Sequence, residues 1–387
     1  MLRGKARDLL LVFFLLSLVS LFADVVYEGG RSVSGPLLSE LSAPAAAAAL
    51  IGLGEFLGFA TRLLAAAIAS KRPSPTTPWA LTFTGYALTA ISIPMIGFAS
   101  DWQVVVVLYA LDRIGKGVRT PGRDAILSEV SKPIGVGKGF GIHEVLDQLG
   151  AFAGPLLVST LAATRGVKTA FITLLAPGAL ALTFLALAYK LSSTKTEPTS
   201  NLAPNRSSYP RSYWLYLAGV FFLALGFTHW SIASYYLATH KHLALETIGY
   251  MYALAMLVDA LVALPMGALF DKYGVYVTVV APVAAYASFL ALTYAPSEQS
   301  LLVAIPWGIA ASSEESILRA SVSKLISSHE KKTAAYGVYG FIYGAGWGAG
   351  SLIYSTVLGN TQAMTIYATT TTVLSILFLT ASETKKA

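Results

Sequence analysis

The feature that most constrains this chain is a succession of apolar runs about twenty residues long, the length of an α-helix that crosses a bilayer. They fall near 9–39, 45–69, 78–99, 102–127, 139–161 and 167–190, then near 212–239, 246–270, 274–295, 299–325, 333–358 and 361–381. A soluble fold of 387 residues has no means of covering such runs when 55% of its residues are hydrophobic and only 12% are charged. The expected fold class is an all-α polytopic membrane protein with twelve transmembrane helices.

The runs form two sets of six. Between them lies the longest polar stretch, 191–211, rich in Ser, Thr, Pro and Asn, which reads as a flexible cytoplasmic linker. The domain division read from sequence is therefore 1–190, 191–211 and 212–387. At an offset of 196–197 residues Arg123 falls on Arg319, Gly141 on Gly337, Gly150 on Gly346, Gly154 on Gly350, and Ile51-Gly52 on Ile248-Gly249. Two pseudo-symmetric six-helix bundles follow. Such repeats are a hallmark of secondary transporters, whose site lies between the halves at mid-membrane.

Basic residues set the orientation. Of 27 Lys and Arg, 19 fall in the N-terminus, the even-numbered loops, the linker and the C-terminus, against three (Arg165, Lys168 and Lys241) on the other side. The positive-inside rule then places both termini in the cytoplasm of a multi-pass cell-membrane protein. Topology thus accounts for most of the +7 formal charge, and nucleic acid is not an expected partner. A signal peptide cleaved near Ala23 also fits the first run, but cleavage would destroy the twelve-span symmetry. Asn205-Arg-Ser is a glycosylation sequon only by pattern, because the orientation makes it cytoplasmic. With no cysteine there are no disulfides and no thiolate metal sites. No nucleotide loop or catalytic constellation appears, so neither an enzyme nor a cofactor or resident metal is expected.

The spans nevertheless contain nine acids (Asp24, Glu28, Glu55, Asp112, Glu144, Asp147, Asp259, Glu314 and Glu315) and five bases (Arg31, Arg62, Arg113, Lys116 and Arg319). At about 2.5–3.5 kcal/mol for each central charge, exposing all of them to lipid would cost on the order of 40 kcal/mol. They must face one another or a water-filled cavity. Asp24, Glu28 and Arg31, spaced four and three apart, share one face of the first helix. Asp24 and Glu28 there either bind a cation or protons, or join a structural ion pair with Arg31. Gly29, Gly30, Gly35 and Pro36 offer a place to bend or unwind. Asp112 and Arg113 lie near the midplane, about 15–17 Å along the fourth span from Trp102. They serve either proton coupling or a fixed salt bridge. Glu55 lies at similar depth on a helix with no central base of its own. Gly150, Gly154 and Pro155 strip side chain from one face of the fifth helix, which serves tight packing, a moving interface, or both. His229 and Trp230 offer either an aromatic wall to an organic cation or interface anchors.

Four motifs resemble the major facilitator superfamily, and the likeness covers essentially the whole chain. LDRIGKGVRTPGRDA (111–125) resembles its fourth-helix motif, matching at Arg113 and Gly117, with Lys116 where Gln is usual. GAFAGP (150–155) matches the fifth-helix G-x-x-x-G-P pattern of drug/proton antiporters. GALFDKYG (267–274) resembles the cytoplasmic gating motif. DVVYE (24–28) resembles the acidic pair of a little-studied prokaryotic branch that carries R-x-x-K-G-x-R-x-x-x-R-D in helix 4. One departure is Ser70, which stands where the first-half gating motif has its acid.

The resemblance implies alternating access, with Asp24, Glu28, Glu55, Asp112, Arg113, Lys116 and Asp147 as the substrate and proton-coupling region. It further implies that Asp271 pairs with Arg319 in a cytoplasmic gate, with Arg119, Arg123 and Asp124 as the first-half gate residues. The function expected is proton-coupled efflux, by antiport, of an organic cation or drug-like compound, carried out by a monomer in the lipid bilayer. A divalent metal cation as cargo, and a uniporter without proton coupling, are the alternatives. The excess of buried acids favours a cation, although an anion could use Arg31, Arg62, Arg113 and Lys116.

Overall fold

The computed structural model describes residues 2–71, 74–192, 209–326 and 329–383, and every regular element among them is helical. In chain order these are α1 (Leu2–Ser32), α2 (Ser34–Glu40), α3 (Ala45–Lys71), α4 (Thr77–Met95), α5 (Trp102–Val130), α6 (Val136–Arg165), α7 (Val167–Thr173) and α8 (Leu175–Leu191). Then follow α9 (Arg211–Gly226), α10 (Trp230–His240), α11 (Leu245–Tyr273), α12 (Val280–Tyr294), α13 (Ala304–Ser313), α14 (Arg319–Leu325), α15 (His329–Val357) and α16 (Thr361–Ser382). A π-helical turn, Glu314–Leu318, joins α13 to α14. This is the all-α polytopic fold read from the hydropathy pattern. Nine stretches among the described residues are long and apolar enough to cross a membrane, and Leu245–Tyr294, at 50 residues, is long enough to do so twice. α5 is not one of the nine: its charges, from Asp112 to Asp124, lower its hydropathy.

By internal packing the chain separates into two units, Met1–Val33 with Leu57–Leu202, and Ser34–Phe56 with Ala203–Ala387. A division at residue 190 leaves 34–56 in the first half, whereas its packing is with the second unit. Most of the linker expected at 191–211, from 193 to 208, lies outside the described residues.

In the first unit the core is built from Val12, Phe13, Leu16 and Val19 of α1, Trp79 and Tyr86 of α4, Ile126 and Leu127 of α5, and Leu185 of α8. α1 and α6 approach most closely at glycines: a Cβ at Gly150 would overlap the Leu21 carbonyl, and one at Gly154 the Val25 carbonyl. Within the stretch from Gly29 to Pro36 expected to bend or unwind, the helical run is interrupted at Val33, where α1 ends. α1 runs unbroken to Ser32, and the glycines are needed for packing, since a Cβ on Gly29 would meet Gly154 backbone at 3.1 Å.

In the second unit the helix begun by α9 breaks at Phe227–His229 and resumes as α10. A break strips carbonyls of their intrahelical donors. Here aromatic side chains replace them: Tyr367 donates to Leu225 O (2.8 Å), Tyr354 to Gly226 O (2.8 Å), Trp347 to Phe227 O (2.9 Å) and Trp307 to Thr228 O (3.1 Å). Trp307→Phe keeps the ring and deletes one donor, leaving the Thr228 carbonyl buried and unsatisfied. The expected cost is about 1–3 kcal/mol, read as a fall in Tm of the detergent-solubilised protein. An unchanged Tm would show that water reaches this break.

Ser34–Phe56 is fastened within the same unit. Ser231 Oγ donates to Ala48 O at 2.7 Å, Tyr235 to Ala43 O at 2.7 Å, and Gly35 N to Ser234 Oγ at 3.2 Å. Gly35 is essential to this approach, because any Cβ would overlap the Tyr235 backbone nitrogen.

Candidate functional site

α1 and α5 meet in the first unit through charged side chains, and Tyr27 of α1 is at their centre. Its hydroxyl accepts from Arg113 NH1 at 2.5 Å, Arg31 NH1 at 2.7 Å and Lys116 Nζ at 3.4 Å. The same cations approach its ring face, with the Arg113 guanidinium carbon 3.6 Å and Lys116 Nζ 4.5 Å from the centroid. The helical repeat explains the convergence. Tyr27 and Arg31 are one turn apart on α1, and Arg113 and Lys116 one turn apart on α5. Tyr109, a further turn back on α5, anchors the pair of helices by donating to Gly30 O at 2.6 Å.

Arg113 and Arg31 each have an acid beside them. Asp112 Oδ2 accepts from both Nε (2.9 Å) and NH2 of Arg113, so the other edge of that guanidinium faces Tyr27. Glu28 lies 3.8 Å from Arg31. Asp112 and Arg113 are both buried, as are Glu28 and Arg31. Asp24 and Asp147, from α1 and α6, are electrostatic neighbours; Asp24 also feels Glu28, Lys116 and Arg119. Asp147 accepts a hydrogen bond from Ser20 and has His143 Nε2 3.8 Å away, while His143 Nδ1 faces Ser17 Oγ at 3.4 Å. The structure therefore brings Asp24, Glu28, Arg31, Asp112, Arg113, Lys116 and Asp147 into one region of the first unit.

Glu55 lies on α3, a helix that runs on to Gly58, where a Cβ would come within 3.3 Å of the Arg113 carbonyl. Glu55 itself belongs to the second unit, where its carboxylate lies 3.7 Å from His229 Nε2. Trp230 is fully buried between Tyr252 (4.7 Å between centroids) and Trp307 (5.3 Å), so it is core rather than the cargo-facing wall that its composition allowed. His229 caps α10, its Nδ1 accepting from Ser231 N at 3.1 Å, and its ring packs edge-on to Trp347. Its place is explained by the helix break.

Of the expected gate residues, Arg123 pairs with Asp124 at 2.8 Å, and Arg62 approaches the same carboxylate at 3.6 Å. Arg119 is buried, donating to Thr89 at 2.9 Å with its guanidinium over the Tyr86 ring. Arg319 pairs with Glu314 at 3.3 Å, and no Asp271–Arg319 bridge appears among the described residues. The π turn at 314–318 explains the pairing with Glu314: its wider winding brings positions five apart onto one face. Asp271 is exposed near the end of α11. Among the described residues, no group of three or more His, Asp or Glu is placed to hold a metal ion.

A broken helix, buried opposite charges and close glycine contacts are a transporter's equipment, and the wider comparison agrees. The sequence pattern of the Major Facilitator Superfamily matches residues 30–350 and 215–387. The chain belongs to the major facilitator superfamily. An uncharacterised protein of Mycobacterium tuberculosis is 36% identical over 352 residues, covering 87% of this chain and 84% of that one. An uncharacterised MFS-type transporter of Methanocaldococcus jannaschii is 42% identical over 73 residues, 19% of this chain and 18% of its own. Among solved structures, a POT family transporter in complex with a thioalcohol-conjugated peptide superposes with TM-score 0.76 at 14% identity, covering 96% of both chains. A mutant of the nucleoside transporter NupG superposes with TM-score 0.75 at 14% identity, covering 96% of this chain and all of that one. At such identities the likeness to the solved structures is one of fold. As a superfamily member the protein is a multi-pass secondary transporter of a small molecule, not an enzyme.

Proposed function

We propose that this superfamily member couples solute movement to protons in the cell membrane, by alternating access of the halves 1–190 and 212–387, as a monomer with both termini cytoplasmic. The observation that carries the coupling is the placement of Asp24 and Asp147. They are neighbouring carboxyls on α1 and α6, flanked by Lys116, Arg119 and Arg123. An acid pair beside basic side chains takes up a proton when those bases move away and releases it when they return. Gly150, whose missing side chain leaves room for the Asp24 Cβ at 3.0 Å, lets the two helices bring these acids together. In such a cycle Ser34–Phe56 would release its bonds to Ser231 and Tyr235 in the opposite state.

A second reading, antiport of an organic cation, is favoured by the GAFAGP run, which forms the close α1–α6 contact. It needs acids open to cargo, and Asp24 and Asp147 would then serve both proton and cation.

The test is reconstitution in liposomes under an imposed pH gradient, with internal pH followed while tetraphenylphosphonium or succinate is added. Solute-dependent proton movement is expected, reduced at least about tenfold in Asp24→Asn and Asp147→Asn and unchanged in the exposed Asp8→Asn. Proton movement that survives in both variants would overturn the assignment of the acids. Labelled solute crossing with no proton movement at all would overturn the coupling.

A further inference from the structure

We propose that Tyr27, Arg31, Arg113 and Lys116 form a binding site for an oxyanion, so that the transported solute carries a carboxylate or phosphate group. The inference rests on the reading of this chain as a transporter, but not on its coupling to protons. Three cationic side chains from two helices donate to one neutral phenol oxygen, at 2.7, 2.5 and 3.4 Å. Like charges gathered around a neutral acceptor repel one another, whereas an anionic oxygen at the same place is attracted by all three. The donors suit such a ligand: guanidinium edges bind carboxylate or phosphate as a planar fork, and the ammonium adds a mobile point charge.

The acids nearby do not favour a cation here. Asp112 is engaged by two nitrogens of Arg113, and Glu28 flanks Arg31, so an approaching cation would meet the three bases around Tyr27. Those two carboxylates also hold the guanidinium groups in position, while Lys116, half-buried on α5, completes the cluster from the next turn. The notion of a cationic cargo drew on an excess of buried acids counted along the chain. In three dimensions acids accompany these bases, but the three side chains that donate to the Tyr27 oxygen are all cationic.

Binding is testable at equilibrium on the purified full-length protein in detergent, with no gradient and hence no dependence on coupling. Tm is followed on titration with sodium phosphate, sodium succinate, or tetraphenylphosphonium, against sodium chloride matched for ionic strength. Phosphate or succinate is expected to raise Tm by several degrees above the chloride control. Lys116→Gln should raise the midpoint concentration at least about tenfold, and Lys116→Arg should largely restore it. A second measurement needs no variant: phenylglyoxal modification of Arg31 and Arg113, read by peptide mass spectrometry, should slow in the stabilising anion but not in chloride.

Stabilisation by tetraphenylphosphonium alone, absence of any anion effect beyond chloride, or an anion effect untouched by Lys116→Gln and without arginine protection would each overturn the proposal. If instead anions bind as expected but Asp24→Asn leaves proton movement in liposomes intact, it is the coupling assignment that fails and the anion site that stands.

Discussion

Arg113→Gln will destabilise the protein by about 3–5 kcal/mol, because it leaves the carboxylate of Asp112, at 0% exposure, buried without its ion-pair partner. The same substitution removes a hydrogen bond to Tyr27 and the cation over its ring, adding to the loss. Asp112→Asn combined with Arg113→Gln removes both charges and should recover much of the stability, since a neutral pair of similar volume no longer strands a buried ion. Thermal unfolding of the two variants and the wild type in one detergent checks this. The double variant should nevertheless not transport, because it lacks a guanidinium at Tyr27. A single variant as stable as the wild type would mean that Asp112 is solvated or already neutral, and the pairing would lose its importance.

Gly154→Leu will have a comparable effect by a different cause. Any side chain at 154 overlaps the Val25 carbonyl and crowds Gly29 N at 2.8 Å, so α1 and α6 must separate. Overpacking side chain against side chain costs about 1–3 kcal/mol, and here the opposing atoms are backbone, which has no rotamer to yield. The expected result is loss of most folded, monodisperse protein on size-exclusion chromatography. Gly141→Ala, on the same helix, is the matched control. A Cβ there meets nothing within 4 Å, and replacing a helical glycine by alanine should stabilise by up to about 1 kcal/mol. Equal yields from Gly154→Leu and Gly141→Ala would show that the α1–α6 contact is not the constraint described.

These two contacts differ in how far they could be read from the chain. Gly150 and Gly154 stand four apart on one helix face, so their role in close packing was legible without coordinates; only the partner, α1, was not. Asp112 and Arg113 were recognisable as charges at mid-span that need compensation, but neighbours in sequence on a helix point about 100° apart, and their mutual pairing depends on side-chain bending. Tyr27 was passed over, because a tyrosine beside two acids carries no signal until α5 brings Arg113 and Lys116 to it. The same holds for the proximity of Glu55 to His229, which depth along a helix does not reveal. Depth along a helix is fixed by a rise of 1.5 Å per residue, whereas the neighbour at that depth is set by which helix packs there.

The break between α9 and α10 and the π turn before Arg319 were equally hidden. Neither has a proline at its site; aromatic donors from other helices satisfy the carbonyls at Leu225–Thr228, and the π turn pairs its own Glu314 with Arg319. What the sequence determined by itself was the solvent this chain folds in, its all-helical class, and the presence of charges too costly to face lipid. Those follow from hydropathy and helix length, which are local sums along the chain. The tertiary structure alone decided which charges meet, that residues 34–56 pack with the second unit, and that three bases share Tyr27. Those depend on contacts between helices distant in sequence, selected by shape and charge only after the helices have formed.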